Sequence, residues 1–196
     1  ALKSARYRLI YQEFFMLQMH LLNLRNKDEK ARSFVLKEVE QAKSFFDRIP
    51  FELTNAQKRV LQEMTEDLKQ EKPMQRLVQG DVGSGKTVLA WYATYLTFLN
   101  GYQTVLMAPT EVLAKQHYEG ALKIFEGSGV RIAFLSGSIS KKKKEEIYQG
   151  ISNGEYDLVV GTHAVIQEGV HFSKLALAIT DEQHRFGVKQ RGKLSK

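Results

Sequence analysis

The stretch Gly80-Asp81-Val82-Gly83-Ser84-Gly85-Lys86-Thr87 decides the fold. It matches the phosphate-binding pattern G-x-x-x-x-G-K-[S/T], and each fixed position answers a physical need. Glycines at 80, 83 and 85 let the backbone turn successive N–H groups inward at a phosphate. A helix starting near Lys86 adds the positive end of its dipole. Lys86 brings a mobile ammonium to the β and γ phosphates, and the Thr87 hydroxyl can ligate Mg2+. Arg76-Leu77-Val78-Gln79 reads as a short strand before the loop, and Thr87 to Leu99 as a helix after it, ending at Asn100-Gly101. Gly80, Asp81, Val82, Gly83, Ser84, Gly85, Lys86 and Thr87 are therefore expected to form an ATP-type phosphate site.

Working outward, short apolar runs alternate with helix-length segments from Phe51 onward. Thr54 can cap a helix over about 55–70, with Gln57 at the capping-box position three residues later. Thr104 to Ala108, Val130 to Leu135, Leu158 to Gly161 and Leu175 to Ile179 read as strands. Glu111 to Phe125 reads as a helix entered through Pro109-Thr110, and a lysine-rich helix is expected over about 140–152. Alternation of buried strands with helices predicts an α/β fold: a mostly parallel sheet covered by helices on both faces.

Residues 1–50 differ: no glycine, one proline at the end, and helical periodicity. Tyr7, Ile10, Phe14, Leu17, Leu21 and Leu24 form one apolar stripe, widened by Leu9, Phe15, Met16, Met19 and Leu22. Val35, Val39, Ala42 and Phe46 form a second stripe, and Pro50 punctuates the chain. Both stripes are expected to be packing surfaces. Residues 1–50 thus read as an N-terminal helical extension, and 51–196 as the α/β lobe.

The second chemical signal is Asp181-Glu182-Gln183-His184, directly after the run Leu175 to Ile179. In a parallel sheet of this kind, a carboxylate at a strand's C-terminal end sits beside the phosphates and can hold Mg2+ through water. A neighbouring carboxylate can orient or deprotonate the attacking water. Lys86, Asp181 and Glu182 are the expected catalytic residues, with Thr87 and Asp181 serving the metal.

The 196 residues are 43% apolar and 26% charged, the balance of a globular chain rather than a disordered one. Lysine plus arginine exceeds aspartate plus glutamate by 29 − 22 = 7, which favours a polyanionic partner such as nucleic acid. The absence of cysteine excludes disulfides and thiolate metal sites, and fits a reducing compartment. No apolar run approaches the roughly 18 residues of a membrane span; Gln12, Glu13, Gln18, His20 and Asn23 break the nearest, Leu9 to Leu24. The opening Ala-Leu-Lys-Ser-Ala-Arg has no initiator methionine and no signal-peptide character, so a piece of a longer protein is expected.

These motifs together resemble the RecG family of superfamily 2 (DExH-box) DNA helicases. The resemblance rests on Gly80 to Thr87 and on Asp181-Glu182-Gln183-His184-Arg185-Phe186-Gly187-Val188. Phe51-Glu52-Leu53-Thr54 with Gln57, Pro73 to Leu77, Ala108-Pro109-Thr110-Glu111-Val112-Leu113-Ala114 and Gly161-Thr162-His163-Ala164 add to it. It covers residues 51–193, and residues 1–50 resemble the helical connector that precedes this lobe. Transcription-repair coupling factors share the Arg-Phe-Gly-Val ending, but Ser84 and Gln183 favour RecG. A transporter ATPase would carry its own signature loop and a small-molecule kinase a lid and acceptor site; the segments at 108–114 and 161–164 argue instead for a DNA motor.

The resemblance implies the first RecA-like lobe of an ATP-driven motor that remodels branched or forked DNA, with ATP and Mg2+ as cofactors. Its partners would be that DNA, a second RecA-like lobe and a wedge domain of the full-length protein. A bacterial cytoplasmic, nucleoid-associated protein without a membrane is implied; its oligomeric state is left open, with a monomer expected. Gln57 would read adenine; as a capping residue it also has a purely structural role open to it. Pro109, Thr110, Gly161, Thr162 and His163 would touch the DNA backbone, and His184 would couple the nucleotide site to the DNA side. This lobe alone is expected to hydrolyse ATP poorly, because such motors draw an arginine from the second lobe. Lys141 to Lys144, followed by Glu145 and Glu146, read as a solvated helix face, whereas Arg185, Lys189, Arg191, Lys193 and Lys196 form a tail suited to polyphosphate.

Overall fold

The structure, a computed structural model, describes residues 11, 15–16, 33–37, 39–81, 83–167 and 169–182. Its centre is a four-stranded sheet of β1 (Gln103–Met107), β2 (Ile132–Leu135), β3 (Leu158–Gly161) and β4 (Leu175–Thr180). The order is β2-β3-β1-β4, and every pairing is parallel. The helices are α1 (Val39–Ala42), α2 (Asn55–Leu68), α3 (Lys86–Leu99), α4 (Glu111–Ile124) and α5 (Lys141–Ser152), with 3₁₀ turns at Lys43–Arg48 and His163–Ile166. The expected parallel α/β layering is present.

Strand side chains alternate between two cores, as the two-residue period of a strand requires. Leu106, Leu158, Val160 and Leu177 face one core with Leu89, Leu96, Ala121 and Phe125 of the α3 and α4 side. Val105, Met107, Val159, Ala133 and Leu135 face the other with Ile147, Ile151, Ala164 and Val165. All residues of β1 and of β3 are buried, as befits the sheet's two inner strands. The four expected strands in this sheet and the four long helices fall within two residues of their expected bounds.

The segment before the phosphate-binding loop departs from expectation. Arg76 to Gln79 is not a strand: residues 73–80 carry no ladder bonds, and Leu77 is exposed. Its side chains engage α2 and the core instead. Arg76 forms ion pairs with Asp67 and Glu63 on α2, at 2.5 and 2.7 Å, and these hydrogen bonds hold its guanidinium well above the ordinary arginine range. Val78 meanwhile packs on the first core. The run is fastened to a helix rather than to a strand neighbour.

The second stripe of the N-terminal region is helical only over 39–48. Residues 33–37 are not, because their backbone donors are spent elsewhere: Ser33 N–H on the Glu71 carbonyl, Leu36 N–H on Leu68, Lys37 N–H on the Asn100 side chain. The first two satisfy carbonyls at and beyond the end of α2 that no further helical turn could reach. Leu36 and Phe45 are fully buried, and Phe45 meets the rings of Tyr92, Tyr95 and Phe125. Of the first stripe, Tyr7, Leu9, Ile10, Phe14, Leu17, Met19, Leu21, Leu22 and Leu24 lie outside the described residues; Phe15 and Met16 are helical and exposed. No helix among the described residues is long and apolar enough to cross a membrane.

Candidate active site

Parallel register sets the floor of the site. Leu135, Gly161, Met107 and Thr180 stand in one row across the sheet at its C-terminal edge. The chain therefore leaves the sheet at one level through Ser136, Thr162, Ala108 and Asp181. In open α/β sheets this edge is where ligands bind. Two backbone bonds hold the loops to their neighbours: Ala108 N–H to the Gly161 carbonyl and Asp181 N–H to the Met107 carbonyl, both at 2.9 Å.

The phosphate-binding loop has the backbone its glycines were expected to allow. Gly83 and Gly85 take left-handed φ values of 80° and 76°, and Gly85 caps α3. Ser84 N–H closes a turn on the Asp81 carbonyl at 3.1 Å. The Lys86 ammonium donates to the carbonyls of Gly80 and Asp81, both at 2.7 Å, so the side chain folds back over the loop rather than into solvent. Thr87 is exposed on the first turn of α3. Val82 lies outside the described residues.

Gln57 belongs to two structures at once. Its side-chain oxygen accepts the Thr54 N–H at 2.8 Å while its own N–H donates to Thr54 Oγ1, completing the capping box at the start of α2. Its amide nitrogen donates to the Ser84 carbonyl at 2.9 Å. A Cβ at Gly85 would push that amide aside, and the left-handed φ there favours glycine. The structural role is present, and it brings the side chain against the loop that would hold phosphate.

Asp181 sits at the exit of β4 with its carboxylate fixed at both oxygens. Oδ1 accepts the Glu182 N–H at 2.9 Å, and Oδ2 lies 2.7 Å from His117 Nε2. Glu182 follows in the left-handed region, φ 48°, the one non-glycine residue there among the described residues. Lys86 and Asp181 do not touch; each is held by its own neighbours. His117 is the residue that sequence reasoning missed. It sits on the stripe of α4 that buries Ala114 and Ala121, three and four residues away, and a polar side chain on such a stripe was the available signal.

Among the described residues no three His, Cys, Asp or Glu are grouped to hold a resident metal. The Thr87 hydroxyl and Asp181 carboxylate are hard oxygen donors. They fit a Mg2+ ion that keeps several waters and arrives with substrate phosphates, because such ions need only one or two protein carboxylates.

The two loops expected at the DNA backbone emerge side by side from β1 and β3. Thr110 caps α4 by accepting the Leu113 N–H at 3.3 Å, and Pro109 precedes it. At Gly161 an added Cβ would overlap the Leu135 carbonyl, which excludes any larger residue. Thr162 opens the 3₁₀ turn that begins at His163. Lys141 to Lys143 are exposed on α5, while Lys144 donates to the Gly137 carbonyl at 2.9 Å. Gln183, His184 and the basic tail from Arg185 to Lys196 lie outside the described residues.

Known proteins resemble this chain along nearly its whole length. The sequence profile of the DEAD/DEAH box helicase family matches residues 54–196. ATP-dependent DNA helicase RecG of Thermotoga maritima is 49% identical over 191 residues, covering 97% of this chain and 24% of the relative. RecG of Bacillus subtilis is 46% identical over 196 residues, covering 99% and 29%. The solved structure of RecG bound to a three-way DNA junction superposes with a TM-score of 0.86 at 48% identity, covering 95% of this chain and 26% of that one. The chain thus spans about a quarter of the length of the relatives it matches. A helicase domain implies nucleotide binding. The chain belongs to the DEAD/DEAH box helicase family, and along nearly its whole length it is similar to RecG-type ATP-dependent DNA helicases.

Proposed function

We propose that this chain is the ATP-binding motor lobe of a bacterial DNA helicase or translocase that acts on branched or forked DNA. One observation carries the reading. Asp181-Glu182 and the loops at 108–110 and 161–163 leave a single edge of one parallel sheet, with Gly161 and Thr180 each in register with Met107 of the strand between them. A motor needs its hydrolytic carboxylates and its track contacts on one rigid floor, so that a change at one is felt at the other.

In this reading residues 1–50 form a connector and 51–196 the first of two motor lobes. Backbone N–H groups of residues 80–87 cradle the triphosphate, and the Gly80 and Asp81 carbonyls release the Lys86 ammonium to the β and γ phosphates. Bound Mg2+ supplies charge neutralisation on the transferring phosphoryl group. Thr87 and Asp181 hold that ion, and Glu182 orients water and takes its proton. Gln57 borders the nucleotide through its contact with Ser84. Pro109, Thr110, Gly161, Thr162 and His163 meet the DNA backbone through helix-start N–H groups and hydroxyls, which suit phosphate oxygens. A second lobe and a wedge domain complete the machine, and His184 couples its two sides.

The test uses the full-length protein and forked DNA at low salt. Phosphate release should rise on adding the fork, the fork should be unwound, and Lys86→Ala should abolish both. Phosphate release indifferent to DNA would refute a DNA motor; DNA-stimulated release without any strand movement would refute the helicase reading.

A further inference from the structure

We propose that His117 is a positioning residue for the metal carboxylate: it fixes the orientation in which Asp181 meets the magnesium–nucleotide complex. The inference rests on the nucleotide reading above and deepens it. His117 Nε2 is 2.7 Å from Asp181 Oδ2. An ionised carboxylate can only accept, so Nε2 carries the hydrogen and donates it. Donation occupies one lone pair of Oδ2 and stops the carboxylate from rotating. Oδ1 is held in turn by the Glu182 N–H. Both oxygens keep further lone pairs for water or a metal, in the manner of outer partners that orient a ligand.

The imidazole is itself held. Its side chain is only 18% exposed, and the Trp91 ring of α3 meets it edge-on at 6.1 Å between centroids. Trp91 lies on the helix that starts at Lys86, so the ring is wedged between the phosphate-loop helix and the metal carboxylate. The Asp181 backbone is anchored separately, through its N–H to Met107 of β1. Asp181 is therefore fastened by its main chain to β1 and by its side chain to α4. These are the two elements that flank the loop Ala108-Pro109-Thr110.

The test measures nucleotide dissociation constants with a fluorescent ATP analogue, once with Mg2+ and once with EDTA. His117→Leu keeps the packing volume and removes the donor. His117→Gln can place an amide N–H where Nε2 now lies. The Mg2+ enhancement of affinity should fall about tenfold or more in the Leu variant and return in the Gln variant, the size expected for losing a ligand-orienting partner, with EDTA constants within about twofold throughout. Equal enhancement in all three chains would overturn the proposal. Equal losses in Leu and Gln, accompanied by lowered melting temperatures, would show packing alone and overturn it too. If the unchanged chain binds no nucleotide, the functional reading fails and takes this one with it; binding with an enhancement insensitive to residue 117 sinks this one only.

Discussion

The amide nitrogen of Gln57 donates to the carbonyl of Ser84 at 2.9 Å, across 27 positions of sequence. The same side chain accepts from Thr54 to close the start of α2. A helix cap thereby doubles as a prop beneath the phosphate-binding loop, and the two duties use different atoms of one amide.

Because the atoms differ, the duties can be separated. Gln57→Glu keeps an oxygen for the Thr54 N–H and favours the helix start electrostatically, but it turns the donor facing Ser84 into an acceptor. Its melting temperature should stay within about 2 °C while ATP affinity falls several-fold. Gln57→Ala loses both duties, so it should lose affinity and also about 0.5–1.5 kcal/mol of stability, the net worth of a hydrogen bond. Melting curves and nucleotide titration of the two variants check this. Unchanged affinity in both would leave Gln57 as a cap alone.

Lys86 gives a sharper effect. Its ammonium donates to two loop carbonyls at 2.7 Å, contacts that a bound triphosphate would replace. Against a triphosphate it makes charge-assisted contacts worth roughly 1.5–3 kcal/mol each. Lys86→Ala should weaken ATP–Mg2+ binding by at least about tenfold. Isothermal titration of both forms decides it, and equal affinities would remove the nucleotide assignment.

These two sites also mark what the sequence made readable. Gly80 to Thr87 and the capped helices could be read because their residues act on their own neighbours along the chain: Thr54 on Gln57, Thr110 on Leu113, glycine on its own φ. The inner strands β1 and β3 could be read because burial on both faces favours apolar runs, and the edge strands β2 and β4 as short apolar runs between helices. What failed depends on distant partners. Arg76 to Gln79 has strand composition, but its guanidinium is claimed by Asp67 and Glu63 on a helix. Residues 33–37 continue a helical stripe, yet their N–H groups are taken by carbonyls near the end of α2 and by Asn100. His117 meets Asp181 64 positions later, a pairing that no local pattern announces.

Two glycines should respond in opposite directions to the same change. At Gly161 a methyl group would overlap the Leu135 carbonyl and lie 2.7 Å from a Val165 methyl carbon. Backbone cannot step aside as a side chain can, so Gly161→Ala should cost at least about 1–3 kcal/mol, the range for overpacked cores. Gly120 lies inside α4 with nothing within 4 Å of an added Cβ. Gly120→Ala should therefore stabilise the protein by about 0.5–1 kcal/mol through helix propensity. Urea unfolding of both variants tests the pair, and a stable Gly161→Ala would mean that β2 and β3 are less tightly joined than their register indicates.

The carboxylates of Asp181 and Glu182 are adjacent in sequence but held in different ways, and their roles should separate accordingly. Asp181 continues the β1–β4 ladder and has both oxygens engaged, as suits a ligand whose direction must not vary. Glu182 turns into the left-handed region, where a residue with a Cβ costs roughly 1–2 kcal/mol. Such strain persists where the surrounding structure imposes it, and it gathers at sites of chemistry. The backbone thus leaves the line of the strand at Glu182, whereas Asp181 still follows it. Asp181→Asn should remove most of the Mg2+ enhancement of ATP affinity, because the amide presents less charge to the ion. Glu182→Gln should bind ATP–Mg2+ within about twofold of the unchanged protein. In the full-length protein on forked DNA it should release phosphate about 10²–10⁴ times more slowly, the span attributed to a positioned general base. Dissociation constants with and without Mg2+, beside single-turnover phosphate release, measure both. The opposite pattern, with Glu182→Gln losing the Mg2+ enhancement and Asp181→Asn keeping it, would exchange the metal and base assignments between the two residues.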